Sequence, residues 1–232
     1  MTTVQQPALV DLGPLAQLRA GRLVERLVRL FVGLVAYGAS LGMMVRGDLG
    51  LAPWDVLHSG LIRHVPLTLG QAVVVMSFVV LLLWVPLREM PGVGTVANAL
   101  VVGLSADATL ALLDAPDAVA ARIGLMVGGV LLCGVASALY IGAQLGRGPR
   151  DGLMTGLARR TGASIRLVRT ALEVTVVLIG LTLGGVLGLG TVLYALAIGP
   201  ITQALLPAFL VDVSVPPEVL PPSLPGTVGG AP

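Results

Sequence analysis

An internal duplication, kept in one register over most of the chain, constrains the fold more than any other feature of the sequence. A motif around Pro53 recurs around Pro149, an offset of 149 − 53 = 96 residues. The same offset pairs identical residues far outside the motif, namely Arg26 with Arg122, Gly33 with Gly129, Gly38 with Gly134, Thr95 with Thr191 and Gly103 with Gly199. An ungapped register of this length indicates a duplicated structural unit. We therefore predict two repeats, residues 22–114 and 115–210.

Long apolar runs place both repeats in a membrane. Charged residues make up 11% of the chain, against roughly a quarter in soluble domains, and the mean hydropathy is +0.96. About six runs are long enough to cross roughly 30 Å of hydrocarbon as helices, and they cover residues 27–45, 69–87, 95–113, 123–143, 167–183 and 191–210. The predicted fold class is an all-α, polytopic membrane protein with about six transmembrane helices.

The duplicated motif lies between the first and second spans of each repeat. Each copy has only about seven residues of helix-like apolar sequence between charged ends, which is too short to cross the hydrocarbon core. We interpret each copy as a short re-entrant or interfacial half-helix, because irregular backbone at membrane depth must be covered by protein or water. Each repeat then crosses three times, and this odd number would make the second repeat inverted, as in many secondary transporters.

The chain contains arginine but no lysine, and the distribution of its arginines predicts an orientation. Arg19, Arg22, Arg26 and Arg29 follow at steps of three or four on one helical face, which suits anionic lipid headgroups at a cytoplasmic surface. The cytoplasmic-to-outer arginine split is 11 to 3 for inverted repeats and 10 to 4 for parallel ones, so charge separates these models only weakly. We expect a bacterial inner-membrane protein with both termini cytoplasmic, a tail at 1–21 and a disordered Pro/Gly-rich tail at 211–232.

Helix capping explains part of the motif. A proline suits the first helical position, an aspartate in the first turn meets the positive end of the helix dipole, and an arginine in the last turn meets the negative end. The residues that capping explains are Pro53, Asp55 and Arg63 in the first copy, and Pro149, Asp151 and Arg159 in the second. On this interpretation both copies are well-capped short helices buried among the spans.

A solute site is the alternative interpretation of the same motif. Facing N-termini of two half-helices favour anionic groups, and ionisable residues at membrane depth are costly and usually tied to a pathway. The copies also differ, since Trp54 corresponds to Arg150, which could bind a carboxylate or phosphate, and His58 corresponds to Met154. His58 follows Asp55 by three residues, so the two could form a pair that titrates near neutral pH. The candidate substrate-binding residues are Pro53, Trp54, Asp55, His58, Arg63, Pro149, Arg150, Asp151, Arg159 and Asp107.

Polar residues within the spans have two interpretations. Asp107 corresponds to Gln203, and the two mark either an interior-facing seam or an interhelical hydrogen bond. Glu173 follows Arg169 by four residues, which predicts an ion pair on the helix surface.

Signatures of catalysis and of cofactor binding are missing from the sequence. The Gly-x-Gly turns before Thr95 and Thr191 are not a nucleotide fingerprint, because no strand precedes them, and we interpret these threonines as N-caps. Two histidines and one cysteine, Cys133, cannot build a typical zinc site. We expect no enzymatic activity, no metal, no cofactor and no nucleic-acid partner.

The two motif copies resemble a known family. The strings Leu-Gly-Leu-Ala-Pro-Trp-Asp-Val-Leu-His at 49–58 and Gly-Pro-Arg-Asp-Gly-Leu-Met at 148–154 are similar to the YczE/YyaS/YitT group of bacterial membrane proteins. Tyr-Ile-Gly-Ala at 140–143, Arg-Leu-Val-Arg-Thr at 166–170 and Gly-Thr at 190–191 fit the same pattern. The resemblance runs from about residue 26 to 210 and implies a polytopic inner-membrane protein, with no catalytic residues to transfer.

Two functions are compatible with these features. The first is a small-solute transporter or permease-like protein whose site is lined by the two half-helices. The second is a non-transporting accessory or scaffold protein that binds a partner protein or anionic lipid through its arginine face and tails. The partners considered are therefore the lipid bilayer with its anionic headgroups, a small-molecule substrate and a second copy of the chain in a homo-oligomer.

Overall fold

The structure, a computed structural model, describes residues 12–213, and every regular element in that range is an α-helix. In chain order the helices are α1 (Pro14–Arg19), α2 (Leu23–Gly47), α3 (Pro53–Leu61), α4 (Leu69–Leu87), α5 (Val93–Leu112), α6 (Val119–Gly142), α7 (Pro149–Thr161), α8 (Ile165–Thr182) and α9 (Leu189–Phe209). The predicted all-α class is confirmed for this range. The parts of the predicted tails at 1–11 and 214–232 lie outside the described residues.

Five helices, α2, α4, α5, α6 and α9, are long and apolar enough to cross a membrane. Helix α8 covers the fifth predicted span, residues 167–183, and its 18 residues include Arg166, Arg169 and Glu173. Because α8 has only 18 residues, these charges fall within the length needed to cross, whereas the four charged residues of the longer helix α2 lie towards its ends. The described chain therefore has five candidate spans by length and composition, where the sequence analysis predicted about six.

The helix boundaries repeat the 96-residue register of the sequence. The helices of the two halves begin at Leu23 and Val119 (119 − 23 = 96), Pro53 and Pro149, Leu69 and Ile165, and Val93 and Leu189. The start signals are themselves duplicated, which explains the agreement. A proline begins both α3 and α7, as predicted. Thr68 and Ser164 cap α4 and α8 by accepting a backbone hydrogen bond.

Equivalent helices α2 and α6 pack against each other at the centre of the bundle, in opposite directions. Gly33 near the start of α2 lies against Tyr140 near the end of α6, and Gly47 at the end of α2 lies against Arg122 near the start of α6. A Cβ atom on Gly33 would approach the Tyr140 nitrogen to 2.8 Å, so the glycine is what allows this close backbone contact.

Each central helix has a parallel neighbour from its own half. Helix α5 runs parallel to α2, and α9 runs parallel to α6. The contacts that establish these directions are Gly38 with Val102, Gly42 with Thr109, Gly134 with Ile201 and Gly142 with Phe209. Helix α4 runs antiparallel to α5, because Gly70 at its start faces Gly103 and Asp107 in the second half of α5. Helix α3 lies between the end of α2 and the start of α4, which are both at the same end of the bundle.

Each short helix packs against a long helix of the other half. Helix α3 lies against α8, and α7 lies against α4. The C-terminal ends of these pairs meet through hydrogen bonds to two equivalent carbonyls (183 − 87 = 96). His64 bonds to the Leu183 carbonyl at 3.2 Å, and Arg159 bonds to the Leu87 carbonyl at 3.0 Å. The short helix of each half therefore packs against the other half. The C-terminal ends of α3 and α7 lie at opposite ends of the bundle.

The Gly-x-Gly turns connect the two halves in a reciprocal manner. The Gly94 amide donates to the Leu145 carbonyl and the Gly190 amide donates to the Leu49 carbonyl, both at 2.7 Å. The prediction that Thr95 and Thr191 are N-caps is wrong. Both helices begin two residues earlier, so each threonine is the third helical residue, and its hydroxyl accepts the amide of the glycine that caps the helix.

Residues at both edges of the described range pack onto the bundle. Helix α1 forms within the predicted N-terminal tail. Residues 211–213, which the sequence analysis assigned to the disordered C-terminal tail, are also ordered: the Val211 amide donates to the Gly142 carbonyl at 3.0 Å, and Gln144 donates to the Val211 carbonyl at 2.7 Å. The bundle is therefore longer at this edge than hydropathy predicts.

Candidate functional site

A cavity of about 250 Å³ lies where the N-termini of α3 and α7 approach each other. Helices α2, α6, α8 and α9 complete its walls. Pro53 and Trp54 of α3 line it, together with Arg150 and Asp151 of α7. Four of the ten predicted site residues are therefore brought together at one cavity.

Trp54 and Arg150 occupy equivalent positions in the two copies (150 − 54 = 96) and contact each other. The guanidinium carbon of Arg150 lies 5.0 Å from the centroid of the Trp54 ring, which is a cation–π arrangement. Within residues 12–213, Arg150 has no ion pair and no hydrogen bond. Equivalent residues can touch only near the axis that relates the two halves, so this pair lies at that axis.

Asp151 is held by a tyrosine. The Tyr140 hydroxyl donates to Asp151 Oδ2 at 2.7 Å, and the Tyr37 ring meets the Tyr140 ring edge-on with centroids 6.0 Å apart. All three tyrosines of the chain, Tyr37, Tyr140 and Tyr194, line the cavity. Sequence reasoning missed them because they are far apart in the chain. The usable signal was their rarity, since aromatic residues make up only 3% of the sequence.

A second charged pair forms part of the cavity wall on α8. Arg169 Nε lies 2.8 Å from Glu173 Oε1, so the predicted ion pair is confirmed. Its location differs from the prediction, because these two side chains face the cavity rather than only the helix surface. The pair lies beside Gln203 of α9, which also lines the cavity.

A smaller recess of about 40 Å³ lies on the other side of Arg150 and Asp151. Its lining includes Val73 and Ser77 of α4, which are the counterparts of Arg169 and Glu173 (169 − 73 = 96, 173 − 77 = 96). Asn98 and Val102 of α5 likewise take the places of Tyr194 and Ile198. The two recesses are therefore related by the duplication, but the α8 wall of the larger one carries Arg169 and Glu173, whereas the equivalent α4 wall of the smaller one is uncharged.

Asp55 and His58 form a buried pair that does not line the cavity. His58 Nδ1 lies 2.9 Å from Asp55 Oδ1, and both side chains are almost completely buried. His58 Nε2 has no hydrogen-bond partner in the described part of the chain. Burial lowers the pKa of His58, which is on the short helix α3, and the hydrogen bond and charge of Asp55 oppose that shift. The pair stabilises α3 internally.

The remaining predicted residues lie elsewhere. Arg63 lines a separate recess of about 400 Å³ near the ends of α2 and α3. Arg159 pairs with Glu89 at 3.1 Å. Pro149 borders the small recess, and its carbonyl accepts a hydrogen bond from the Trp84 indole at 2.9 Å.

Asp107 binds the start of a helix rather than the cavity. Its carboxylate accepts the Gly70 amide at 2.8 Å and the Thr68 hydroxyl at 2.5 Å, at the N-terminus of α4. This is the interhelical hydrogen bond that the sequence analysis gave as one of two interpretations. Its counterpart Gln203 lines the large cavity instead. Among the described residues, no group of three or more histidine, cysteine, aspartate or glutamate side chains could hold a metal ion.

Comparison with known proteins shows a matching family and bacterial relatives, one of which is described as a membrane protein. Residues 24–207 match a family described as "Family of unknown function (DUF6198)". An uncharacterised protein of Haemophilus influenzae is 41% identical over 174 residues, which cover 75% of this chain and 80% of the relative. The uncharacterised membrane protein YczE of Bacillus subtilis is 32% identical over 187 residues, 80% of this chain and 87% of YczE.

A third relative extends the same group. The uncharacterised protein YyaS of Bacillus subtilis is 22% identical over 180 residues, which cover 76% of this chain and 90% of YyaS. No solved structure matches the chain. The five candidate spans and the similarity to YczE support a multi-pass membrane location. The resemblance to the YczE/YyaS group drawn from the motif strings is confirmed, and the chain belongs to the family DUF6198.

Proposed function

We propose that this protein is a small-solute transporter of the permease type and that the cavity between the N-termini of α3 and α7 is its solute site. The observation that carries the proposal is the guanidinium of Arg150, which lines a cavity of about 250 Å³ and has no ion pair or hydrogen bond within residues 12–213. A charged side chain held inside a membrane bundle is costly and is usually tied to a solute or ion pathway.

The helix directions support an architecture of inverted repeats. The equivalent helices α2 and α6 are antiparallel, and the C-terminal ends of the short helices α3 and α7 lie at opposite ends of the bundle. With α8 crossing as well as the five candidate spans, each half crosses three times and the halves have opposite orientations. Inverted repeats with short helices at their interface are the basis of alternating access in many secondary transporters.

The unequal recesses support access from one side at a time. The large recess beside α8 and α9 and the small recess beside α4 and α5 share Arg150 and Asp151. In a duplicated transporter, an exchange of conformation between the halves would enlarge one recess as the other closes. The arrangement with one open and one nearly closed recess then corresponds to one of the two access states.

A cysteine-labelling experiment tests whether the cavity is wet and one-sided. On a Cys133→Ala background, Ser137→Cys in the large recess and Ser77→Cys in the small recess are exposed to a membrane-impermeant thiol reagent from each side. We expect Ser137→Cys to be labelled from one side and Ser77→Cys more slowly from the other. Leu104→Cys, on the exposed face of α5, is the control that should stay unlabelled in lipid.

Flux measurements test transport itself. Proteoliposomes are loaded and assayed with a panel of radiolabelled amino acids, carboxylic acids and sugars. We expect at least one solute to enter faster than in protein-free vesicles, and Asp151→Asn to abolish this entry without changing the amount of folded protein. Asp114→Asn, which removes the same charge from the exposed connection between α5 and α6, should transport normally. Unlabelled cavity cysteines together with no flux would refute the proposal.

The accessory or scaffold alternative has less support from the described residues. Its binding surfaces were the N-terminal arginine face and the tails, and most of the tails lies outside the described residues. In the arginine face, Arg26 is buried, and Arg22 and Arg29 both pair with Glu25, at 2.6 and 2.7 Å. The proposal also assigns the protein to the bacterial inner membrane, with both termini in the cytoplasm and no enzymatic reaction. A reporter fused after residue 232 tests the orientation, since a periplasmic signal would contradict it.

A further inference from the structure

We propose that the solute accepted by the large cavity is a small organic monocarboxylate whose carboxylate group binds the guanidinium of Arg150. This inference rests on the proposed function of the same cavity and adds the chemical class of the solute. It is drawn from the balance of charges and hydrogen bonds among the residues that line the cavity.

Among the charged side chains that line the cavity, Arg150 alone makes no hydrogen bond and no ion pair within residues 12–213. Arg169 and Glu173 neutralise each other at 2.8 Å, and the Asp151 carboxylate accepts the Tyr140 hydroxyl at 2.7 Å. Arg150 contacts the face of Trp54, which attracts a cation but offers no hydrogen-bond acceptor. Its N–H donors are therefore available to a ligand in the cavity.

Capping does not explain why an arginine occupies this position. Arg150 is the second residue of α7, where the positive end of the helix dipole disfavours a cation. The N-terminus of α3 approaches from the other side and adds to the positive potential. An anion at this point would satisfy the guanidinium and both helix ends. Arginine binds carboxylates through two parallel hydrogen bonds, which also orients the ligand.

The other charges in the cavity limit the ligand to a single negative charge. A dianion such as phosphate would meet one unpaired guanidinium and the carboxylates of Asp151 and Glu173, so repulsion disfavours it. A cation would be repelled by Arg150, and a neutral sugar would leave the guanidinium without a partner. The volume of about 250 Å³ limits the ligand to on the order of ten non-hydrogen atoms, since a water molecule takes roughly 30 Å³ of liquid.

Binding to the purified full-length protein tests the inference. Sodium lactate and sodium benzoate are titrated into the protein in neutral detergent, with sodium phosphate, choline chloride and glucose as comparison probes. Binding is followed by calorimetry and by tryptophan emission, because Trp54 lies against the guanidinium that the ligand would contact. We expect saturable binding of at least one carboxylate and none of choline or glucose.

Variants locate the binding group. Arg150→Ala and Arg150→Gln should each weaken carboxylate binding roughly tenfold to a hundredfold, the range for hydrogen bonds to a charged group. Arg150→Lys should retain part of the affinity, because it keeps the charge but loses the two-bond geometry. Arg166→Ala removes one positive charge from the exposed face of α8 and should bind as the wild type does. Having two neutral variants keeps the test valid if one of them fails to fold.

Several outcomes would overturn the inference. These are the absence of carboxylate binding, tighter binding of phosphate than of either carboxylate, and an equal loss of affinity in Arg166→Ala. The two proposals fail separately. Arg150-dependent lactate binding without flux would retain the ligand class and refute transport, whereas glucose flux without carboxylate binding would retain transport and refute the ligand class.

Discussion

Replacement of Arg26 by alanine should destabilise the protein far more than replacement of its neighbours on the N-terminal arginine face. Arg26 is 0% exposed, although it belongs to the stripe that the sequence assigns to lipid headgroups. Its Nε donates to the Ala143 carbonyl at 2.8 Å, and its Nη2 donates to the Gln144 carbonyl at 2.6 Å. The guanidinium therefore joins the start of α2 to the end of α6.

The magnitude follows from these bonds. Alanine would remove two hydrogen bonds that the charged guanidinium donates to carbonyls, at about 1.5–3 kcal/mol each, and would also remove the packed side-chain stem. A central estimate is about 4 kcal/mol, which corresponds to a decrease of about 8–16 °C in melting temperature for a chain of this size.

Arg122 supplies a matched control, because it is the counterpart of Arg26 (122 − 26 = 96). It pairs with Asp48, whose side chain is 59% exposed, so Arg122→Ala should cost at most about 1 kcal/mol. The assay is the midpoint temperature for loss of the monodisperse peak after heating in detergent, measured by size-exclusion chromatography. Equal midpoints for Arg26→Ala and Arg122→Ala would refute the reasoning, and would favour the headgroup interpretation of the stripe.

Two further predictions concern backbone contact and pH. Gly50 has φ +119° and faces the Gly188 backbone, which an added Cβ would approach to 2.8 Å, so Gly50→Ala should prevent accumulation of folded protein. Gly124→Ala, which meets nothing within 4 Å, should fold at wild-type yield, and similar yields for both variants would contradict this. Because burial lowers the pKa of His58, the unfolded chain binds its proton at higher pH, so the melting temperature should fall as pH drops below about 6.5. His58→Asn should reduce that slope, and an unchanged slope would show that other groups cause it.

The fold was predictable where its signals are local. A proline begins both α3 and α7, and a hydroxyl residue precedes both α4 and α8. Because both signals occur twice at the same offset, the sequence indicates where these helices start. Hydropathy could not decide the status of α8, because Arg169 and Glu173 pair with each other and line a cavity that the sequence does not show. The burial of Arg26 was hidden for the same reason, since its carbonyl partners lie 117 and 118 residues away.

The candidate site was only half predictable, because two identical aspartates have different environments. In the first copy, His58 lies one helical turn after Asp55 and takes its carboxylate as a partner. In the second copy, Met154 occupies that position and can offer no such bond, so Asp151 is left to Tyr140 and the cavity. The sequence showed that His58 corresponds to Met154. It did not show that Tyr140 donates a hydrogen bond to Asp151 at the cavity.

The divergence of the two recess walls leads to a prediction about which access state is favoured. The charged wall of Arg169 and Glu173 is better solvated than the wall of Val73 and Ser77, so we expect the state with the α8 recess open to be the more populated one. The double variant Arg169→Val/Glu173→Ser would give both recesses the same wall at these positions. Removing both partners of an ion pair together is tolerated by many folds.

Thiol labelling measures the expected change. The ratio of labelling rates of Ser137→Cys in the large recess and Asn98→Cys in the small recess should move towards one in the double variant, because the wall that favoured the first state is gone. The matched control is Arg166→Val, which removes a charge from the same helix outside the cavity and should leave the ratio unchanged. A ratio that is the same in the wild type and the double variant would show that helix packing, and not wall polarity, sets the preference.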